Sequence, residues 1–337
     1  MKIVKLDENK NPYLPDGKML RYFKKNAKLI SEYPSIDNSI ICEEISKTFN
    51  INVKNVYFGN GSMDIFDKLV KVFSDKRYGF LTPTFWGFRH FLYLNHYENV
   101  LEAQYSEIES ENLNNLKTLA KKCDVVYLCN RNNPNLHYFE SELLLKVVEE
   151  NPKCQFVIDE TLLTYEDYFK KSVFSVCPSY NNLTVVISLS KILGIAGIRS
   201  GVLFSNSELV ERLKEIEVPF VTSKLSQDFI KNNLNRFVKL DNIKDKIYKN
   251  YKYLENKLAK DPIKKFENKN SCFVNVFLND DVDIEGLKNY LTKKHIILRY
   301  SIEFYGVTEK FLRISAGTKY QYSKLVKYFN KFFLEVV

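Results

Sequence analysis

Glycine and proline are scarce in this chain, at 11 and 9 of 337 residues. That excludes collagen-like and low-complexity readings. A long apolar run is missing as well. The longest stretch without a charge, Ser172 to Ser190, contains Pro178, Asn181, Asn182 and five serines. It makes no membrane span. The opening MKIVKLDENKNPY has no apolar signal-peptide core, so a cytoplasmic location is expected. Histidine is rare, and His90, His96, His137 and His295 show no metal-ligand spacing. No metal site is expected. The six cysteines (Cys42, Cys123, Cys129, Cys154, Cys177 and Cys272) form no CxxC pair, and most sit inside apolar runs. Buried free thiols are expected rather than disulfides.

What remains is an ordinary globular balance, 45% hydrophobic and 27% charged, with length for two domains. The net charge is +9, but basic residues never run longer than two, and acidic ones are interleaved throughout. That pattern describes a lysine-rich solvated surface, not a nucleic-acid partner. It leaves room for anionic small molecules.

Short β-branched or aromatic runs recur at Val56–Phe58, Val125–Leu128, Phe156–Ile158 and Thr184–Ile187. Helical stretches separate them. In SMDIFDKLVKVF, residues Phe66, Leu69, Val70 and Phe73 keep helical spacing. In SELVERLKEIE, Ser207 is the expected N-cap and Pro219 closes the segment. Strand–helix alternation predicts an α/β fold with a mostly parallel sheet. Beyond about residue 225 the pattern changes. A long polar helical region, roughly 226–260, precedes expected strands at Phe273–Leu278 and Phe311–Ser315. The expected division is an N-terminal arm (1–28) belonging to a small domain, a large domain (29–220) and a smaller C-terminal α+β domain (221–337).

In open α/β sheets, ligands bind beyond the carboxyl ends of the strands, so chemistry is sought just after each apolar run. Five of the eleven glycines fall in two windows, Gly59 and Gly61, then Gly194, Gly197 and Gly201. The first window follows a strand and opens a helix. It is either a plain turn or a backbone cradle for an anion. In the second, VVISLSKILGIAGIRSGVLF, Lys191 leaves an apolar strand through Ser188 and Ser190, and Arg199 follows eight residues on. A hydrophobic surround favours neutral lysine, the nucleophile that forms Schiff bases with carbonyls. Hydroxyls and an arginine fork suit a phosphate. Pyridoxal 5'-phosphate asks for both. Asp159, ending the strand from Gln155, could face a pyridinium nitrogen or cap the next turn. Asn133, in CNRNNPN, could bond a ring hydroxyl or simply form an Asn-Pro turn.

In order, the segments NPY (11–13), YPS (33–35), FGNGS (58–62), TPTF (82–85), CNRNNPN (129–135), VIDE (157–160), SLSKILGIAGIR (188–199) and FLRISAG (311–317) carry a resemblance. The chain resembles the pyridoxal-phosphate-dependent class I and II aminotransferases. The nearest likeness is to the histidinol-phosphate aminotransferase group and its relative threonine-phosphate decarboxylase. The resemblance implies that Lys191 holds the cofactor and shuttles a proton, with Asp159 at the ring nitrogen and Asn133 at the ring oxygen. Phe85 would stack on the ring. Ser62, Met63, Ser188, Ser190 and Arg199 would hold its phosphate, and Tyr33 would reach the cofactor of a second subunit in a homodimer. Arg313, Arg299 and Tyr13 would bind an anionic, phosphate-bearing substrate. The expected reaction is amino transfer on a small phosphorylated amine or amino acid; the alternative is decarboxylation of an O-phospho-amino acid. A binding protein that kept the fold would have lost Lys191 or Asp159, and both are present.

The chain also departs from the pattern. Leu162 stands where these aminotransferases carry a tyrosine three residues after the ring aspartate. Asn135-Leu136 replaces the usual Thr-Gly, and Met63 stands where an acidic residue is common. The decarboxylase relative also dispenses with that tyrosine, which raises the decarboxylase alternative.

Overall fold

The computed structural model describes residues 3–163, 168–236, 241–269 and 271–335. The strands of the first part of the chain are β1 (Val4–Lys5), β2 (Val56–Gly59), β3 (Tyr78–Thr82), β4 (Val100–Gln104), β5 (Val125–Cys129), β6 (Gln155–Asp159), β7 (Leu183–Ser188) and β8 (Gly201–Phe204). The second part adds β9 (Ile263–Glu267), β10 (Phe273–Leu278), β11 (Ile296–Ile297), β12 (Arg299–Tyr300) and β13 (Phe311–Ser315).

Seven strands form the large sheet in the order β2-β8-β7-β6-β5-β3-β4. All its neighbours pair parallel except β8, which runs antiparallel to β7 and β2. The central strands are mostly apolar because both faces are covered. Alternation decides which core each residue joins. Val126, Leu128, Phe156, Ile158, Val185 and Ile187 face one cluster. Val125, Tyr127, Val157 and Val186 face the other. The helix Ser62–Val72 buries Ile65, Phe66, Leu69 and Val70 on that second face, as its spacing predicts.

The smaller unit has an antiparallel sheet, β12-β13-β10-β9. Its core takes Val274, Val276, Leu312 and Ile314 from the sheet, and Tyr251, Leu254, Leu325 and Phe329 from the helices. The N-terminal arm serves both units. Val4 and Leu6 lie in the small core, with β1 pairing parallel to β11, whereas Leu14 and Met19 lie in the large one.

Two details differ from expectation. The expected polar region 226–260 contains helices Lys224–Asn233 and Asp241–Lys257, and residues 237–240 lie outside the described residues. Phe229, Ile230 and Leu234 pack into the large core, so the change of core comes after Leu234 rather than at 220. Ser207 is not the cap of its helix. Asn206 holds that place with extended backbone, its side chain accepting the Leu209 N–H at 2.9 Å. All six cysteines are free and buried. No helix among the described residues is long and apolar enough to cross a membrane.

Candidate active site

A cavity of about 370 Å³ opens at the carboxyl ends of β5, β6 and β7, against the small sheet and the N-terminal arm. Eleven of the residues singled out by sequence line it: Ser62, Met63, Phe85, Asn133, Asp159, Ser188, Ser190, Lys191, Arg199, Arg299 and Arg313.

Lys191 lies in the helical turn Leu189–Ile192 that follows β7. The arm clamps this turn. Asn11 N–H donates to the Lys191 carbonyl at 3.0 Å, and Asn11 Nδ2 to the Ile192 carbonyl at 3.0 Å. The fit is tight enough to require glycine at 194, where φ is +64° and a Cβ would stand 2.1 Å from the Leu14 carbonyl oxygen. Burial pushes the Lys191 ammonium below its ordinary range; Arg313 and Arg199 act the same way, against Cys272 and Glu8.

Asp159 ends β6, in register with Cys129 on β5, and is 1% exposed. Its Oδ1 accepts the Thr161 N–H at 2.9 Å, and the Cys129 thiol points at its Oδ2 from 3.8 Å. Burial pushes this carboxyl up to about 6, against those hydrogen bonds and the Lys191 charge. The capping role and the cavity position therefore coexist.

At the far end of the cavity, Gly61 caps the helix starting at Ser62, with φ +86°. A Cβ on Gly61 would lie 2.6 Å from Arg199 Nη2, and one on Gly201 would lie 2.5 Å from Ser62 N. Two strand ends and an arginine are thus pressed onto a helix N-terminus, an arrangement that takes a phosphate. Ser190 braces the loop: its Oγ accepts the Ser200 N–H at 2.9 Å.

Arg299 and Arg313 face each other in register on β12 and β13. Their guanidiniums lie 5.6 and 5.5 Å from the Phe304 ring centre. Arg313 is 5% exposed. It donates from Nη1 to Asn133 Oδ1 at 2.8 Å and from Nη2 to the Asp7 carbonyl at 2.7 Å, while its buried Nε has no partner. Burial lowers it to about 10, helped by Arg299. Arg299 is tied to Glu303 at 3.5 Å, and Glu303 also holds Lys288 at 2.8 Å.

Tyr13, expected at the substrate, stands outside this cavity, and Tyr33, expected to reach a second subunit, lies at the surface. Tyr13 is half-buried in the small unit, where its hydroxyl accepts from Asn250 Nδ2 at 2.6 Å. Tyr33 is 85% exposed and packs on Phe220. Sequence reasoning missed Asp7, Glu8, Asn9, Cys129, Thr161 and Phe304 as cavity residues. The first three lie just before the NPY segment, one residue removed, and that proximity is the available signal.

These residues fit pyridoxal phosphate. The buried Asp159 carboxylate asks for a positive partner inside the cavity, Lys191 is held toward neutrality, and the Gly61–Ser62–Arg199 cradle suits a phosphate.

Comparison with known proteins agrees. The sequence model of "Aminotransferase class I and II" matches residues 1–329. A histidinol-phosphate aminotransferase of Christiangramia forsetii is 27% identical over 336 residues, covering 98% of this chain and 89% of that one. One from Methanosphaera stadtmanae is 25% identical, covering 96% and 89%. The crystal structure of the histidinol-phosphate aminotransferase from Clostridium acetobutylicum superposes with a TM-score of 0.86 at 20% identity, over 99% of this chain and 100% of that one. L-threonine-O-3-phosphate decarboxylase from Porphyromonas gingivalis gives 0.81 at 20% identity, over 99% and 100%. The chain belongs to the class I and II aminotransferases, enzymes that work with pyridoxal phosphate.

Proposed function

We propose that the protein transfers an amino group from a small, phosphate-bearing amine to a keto acid. One observation carries this reading: the cavity has two separate cationic ends with Lys191 between the chemistry they frame. Arg199, at the glycine cradle, suits the cofactor phosphate. Arg299 and Arg313, paired across two strands, suit a second anion on the substrate. The histidinol-phosphate aminotransferases among the relatives support it.

Bound here, pyridoxal phosphate supplies an aldehyde and an electron sink. The chain's residues would do the rest. Asp159 would hold a proton on the ring nitrogen, and Asn133 would offer Nδ2 to the ring oxygen, its Oδ1 being engaged by Arg313. Phe85 would cover the ring face. Ser62, Met63, Ser188, Ser190 and Arg199 would hold the phosphate. Lys191 Nζ, its basicity lowered by burial, would accept the substrate α-proton and return it. Arg313 would orient the substrate so that the bond to be broken stands across the ring.

A second reading is decarboxylation of an O-phospho-amino acid. Leu162 favours it: it lines the cavity without a hydroxyl, inside an apolar cluster with Leu136, Cys272 and Phe273.

The assembly we propose is a homodimer in the cytoplasm. Ile30, Tyr33, Ile36, Val218 and Phe220 are among the exposed large hydrophobics, and a second copy would cover them. Free buried thiols suit a reducing compartment.

The test is incubation of the loaded enzyme with histidinol phosphate, O-phosphoserine, O-phosphothreonine or glutamate, each with a keto acid as amino acceptor, following keto product and carbon dioxide. Keto product from a phosphorylated amine supports transfer. Carbon dioxide without keto product supports the second reading, and turnover of glutamate alone overturns both. Mixing Tyr33→Phe with Lys191→Ala should generate hybrid dimers with one intact site. A fully active monomer in sedimentation overturns the shared site.

A further inference from the structure

The N-terminal arm brings carboxylates to the end of the cavity where the two arginines lie. Asp7, Glu8 and Asn9 line it beside Arg299 and Arg313. The arm is fixed there by backbone. Ser315 N–H donates to the Leu6 carbonyl at 2.8 Å, and Asn9 N–H donates to Ser315 Oγ at 3.0 Å. The Asp7 carbonyl itself accepts Arg313 Nη2 at 2.7 Å. Glu8 is already engaged, by Lys5 at 3.0 Å and by Lys10.

Asp7 differs from Glu8. Its Oδ1 is out of contact with solvent and has no hydrogen-bond partner, like the Nε of Arg313 on the same wall. Burial raises the carboxyl above its ordinary value, against its own backbone N–H and the nearby charges of Lys5 and Arg299. A buried acceptor without a donor is unfavourable until something supplies one. An anion seated on the arginines would lie against this carboxylate. A ligand that is only anionic there meets like charge. A ligand carrying an N–H group beside its anionic tail meets the arginines with one part and Asp7 with the other.

We infer that Asp7 is a specificity-determining residue that selects phosphorylated amines carrying a further nitrogen donor beside the anion, and rejects those carrying two anions. This rests on the reading of the cavity as the pocket of a phosphate-bearing amine. Discrimination would come from a repulsive group as much as from an attractive one.

The experiment uses the cofactor-loaded wild type, Asp7→Asn and Asp7→Ala. Kinetics are measured with histidinol phosphate, which has an imidazole N–H and one anion, and with O-phosphothreonine, which has two anions. Binding of inorganic phosphate is measured separately by calorimetry. Removing the charge should move the ratio of kcat/KM by about tenfold toward O-phosphothreonine, mainly through KM, and should tighten inorganic phosphate about threefold or more. A ratio and a phosphate affinity both unchanged within about twofold overturn the inference, while turnover of either compound leaves the substrate reading standing. If the wild type turns over neither compound, the substrate reading falls, and the phosphate titration alone decides whether Asp7 opposes an anion.

Discussion

Replacing Asp159 with asparagine should move the cofactor-free and the cofactor-loaded protein in opposite directions. In the cofactor-free chain the carboxyl is 1% exposed, and burial pushes it from 3.8 to about 6. A folded-state value above the unfolded one means that the native state holds the proton longer. Between about pH 4 and pH 6 the unfolded chain has lost this proton and the native one has not, so stability falls across that window and stays lowered above it. At about 1.4 kcal/mol per pH unit the difference comes to about 3 kcal/mol. Asparagine has no charge to desolvate, and its oxygen can still accept the Thr161 N–H. With about 2.1 cal/mol/K of unfolding entropy per residue, the cofactor-free Asp159→Asn protein should melt about 4 °C higher at pH 8 and show little gain at pH 4. With cofactor bound the sign reverses. The carboxylate then has a cation to face, and its loss should lower turnover by about a hundredfold or more. Thermal unfolding of the cofactor-free pair at the two pH values, alongside turnover of the loaded pair at pH 8, tests both halves. A cofactor-free variant that melts lower at pH 8, with turnover within tenfold of wild type, would refute the reasoning and leave Asp159 as the cap of Thr161 only.

Lys191→Ala should abolish turnover and the lysine-dependent visible absorbance of the loaded enzyme, and wild-type activity in that variant would end the reading. Gly61→Ala should weaken cofactor binding by about tenfold or more, because φ is +86° and the new Cβ would meet Arg199 at 2.6 Å. Gly197→Ala, with nothing within 4 Å of its Cβ, is the control, and equal losses by titration would show that the cradle is not the phosphate site. Arg299→Met should raise KM about tenfold or more for phosphorylated substrates and leave a non-phosphorylated amino acid nearly unaffected. Equal weakening of both would reduce Arg299 to its ion pair with Glu303.

Four of the residues legible in the sequence share one property: each lies at or just beyond the end of an apolar run in a central strand. Asp159, Asn133, Ser188 and Lys191 could be placed that way because both faces of the sheet are buried and the runs are unbroken. Gly61 and Gly194 announced themselves as backbone positions that a side chain would block. Other features depend on which core a segment meets. Phe229, Ile230 and Leu234 have the spacing of any amphipathic helix, and nothing local says that they belong to the large unit. Asn206 and Ser207 are both competent caps, and only the backbone angles separate them. Asp7 sits in a short polar stretch that looks like solvated surface until the pairing of β1 with β11 carries it to the cavity. Tyr13 has the residue type for a substrate lid, but its hydroxyl is occupied by Asn250.

Two of the departures from the family pattern, Leu136 and Leu162, are connected through packing. Leu136 has φ +59°, yet its side chain is fully buried, and it shares one cluster with Leu162, Cys272 and Phe273. Asn135 holds the turn beside it, its Oδ1 accepting from Asn132 Nδ2 at 2.7 Å and from the His137 N–H at 3.0 Å. Leu136 and Leu162 therefore form one apolar wall together with the turn that carries Asn133. With no hydroxyl at 162, the ring-oxygen end of the proposed site would depend more heavily on Asn133. That residue is also the one that Arg313 grips across the two units. A substrate anion that draws Arg313 away from Asn133 would free its Oδ1 and loosen its hold at the ring. In the proposed site, substrate anchoring and cofactor tuning would therefore meet in a single side chain, Asn133.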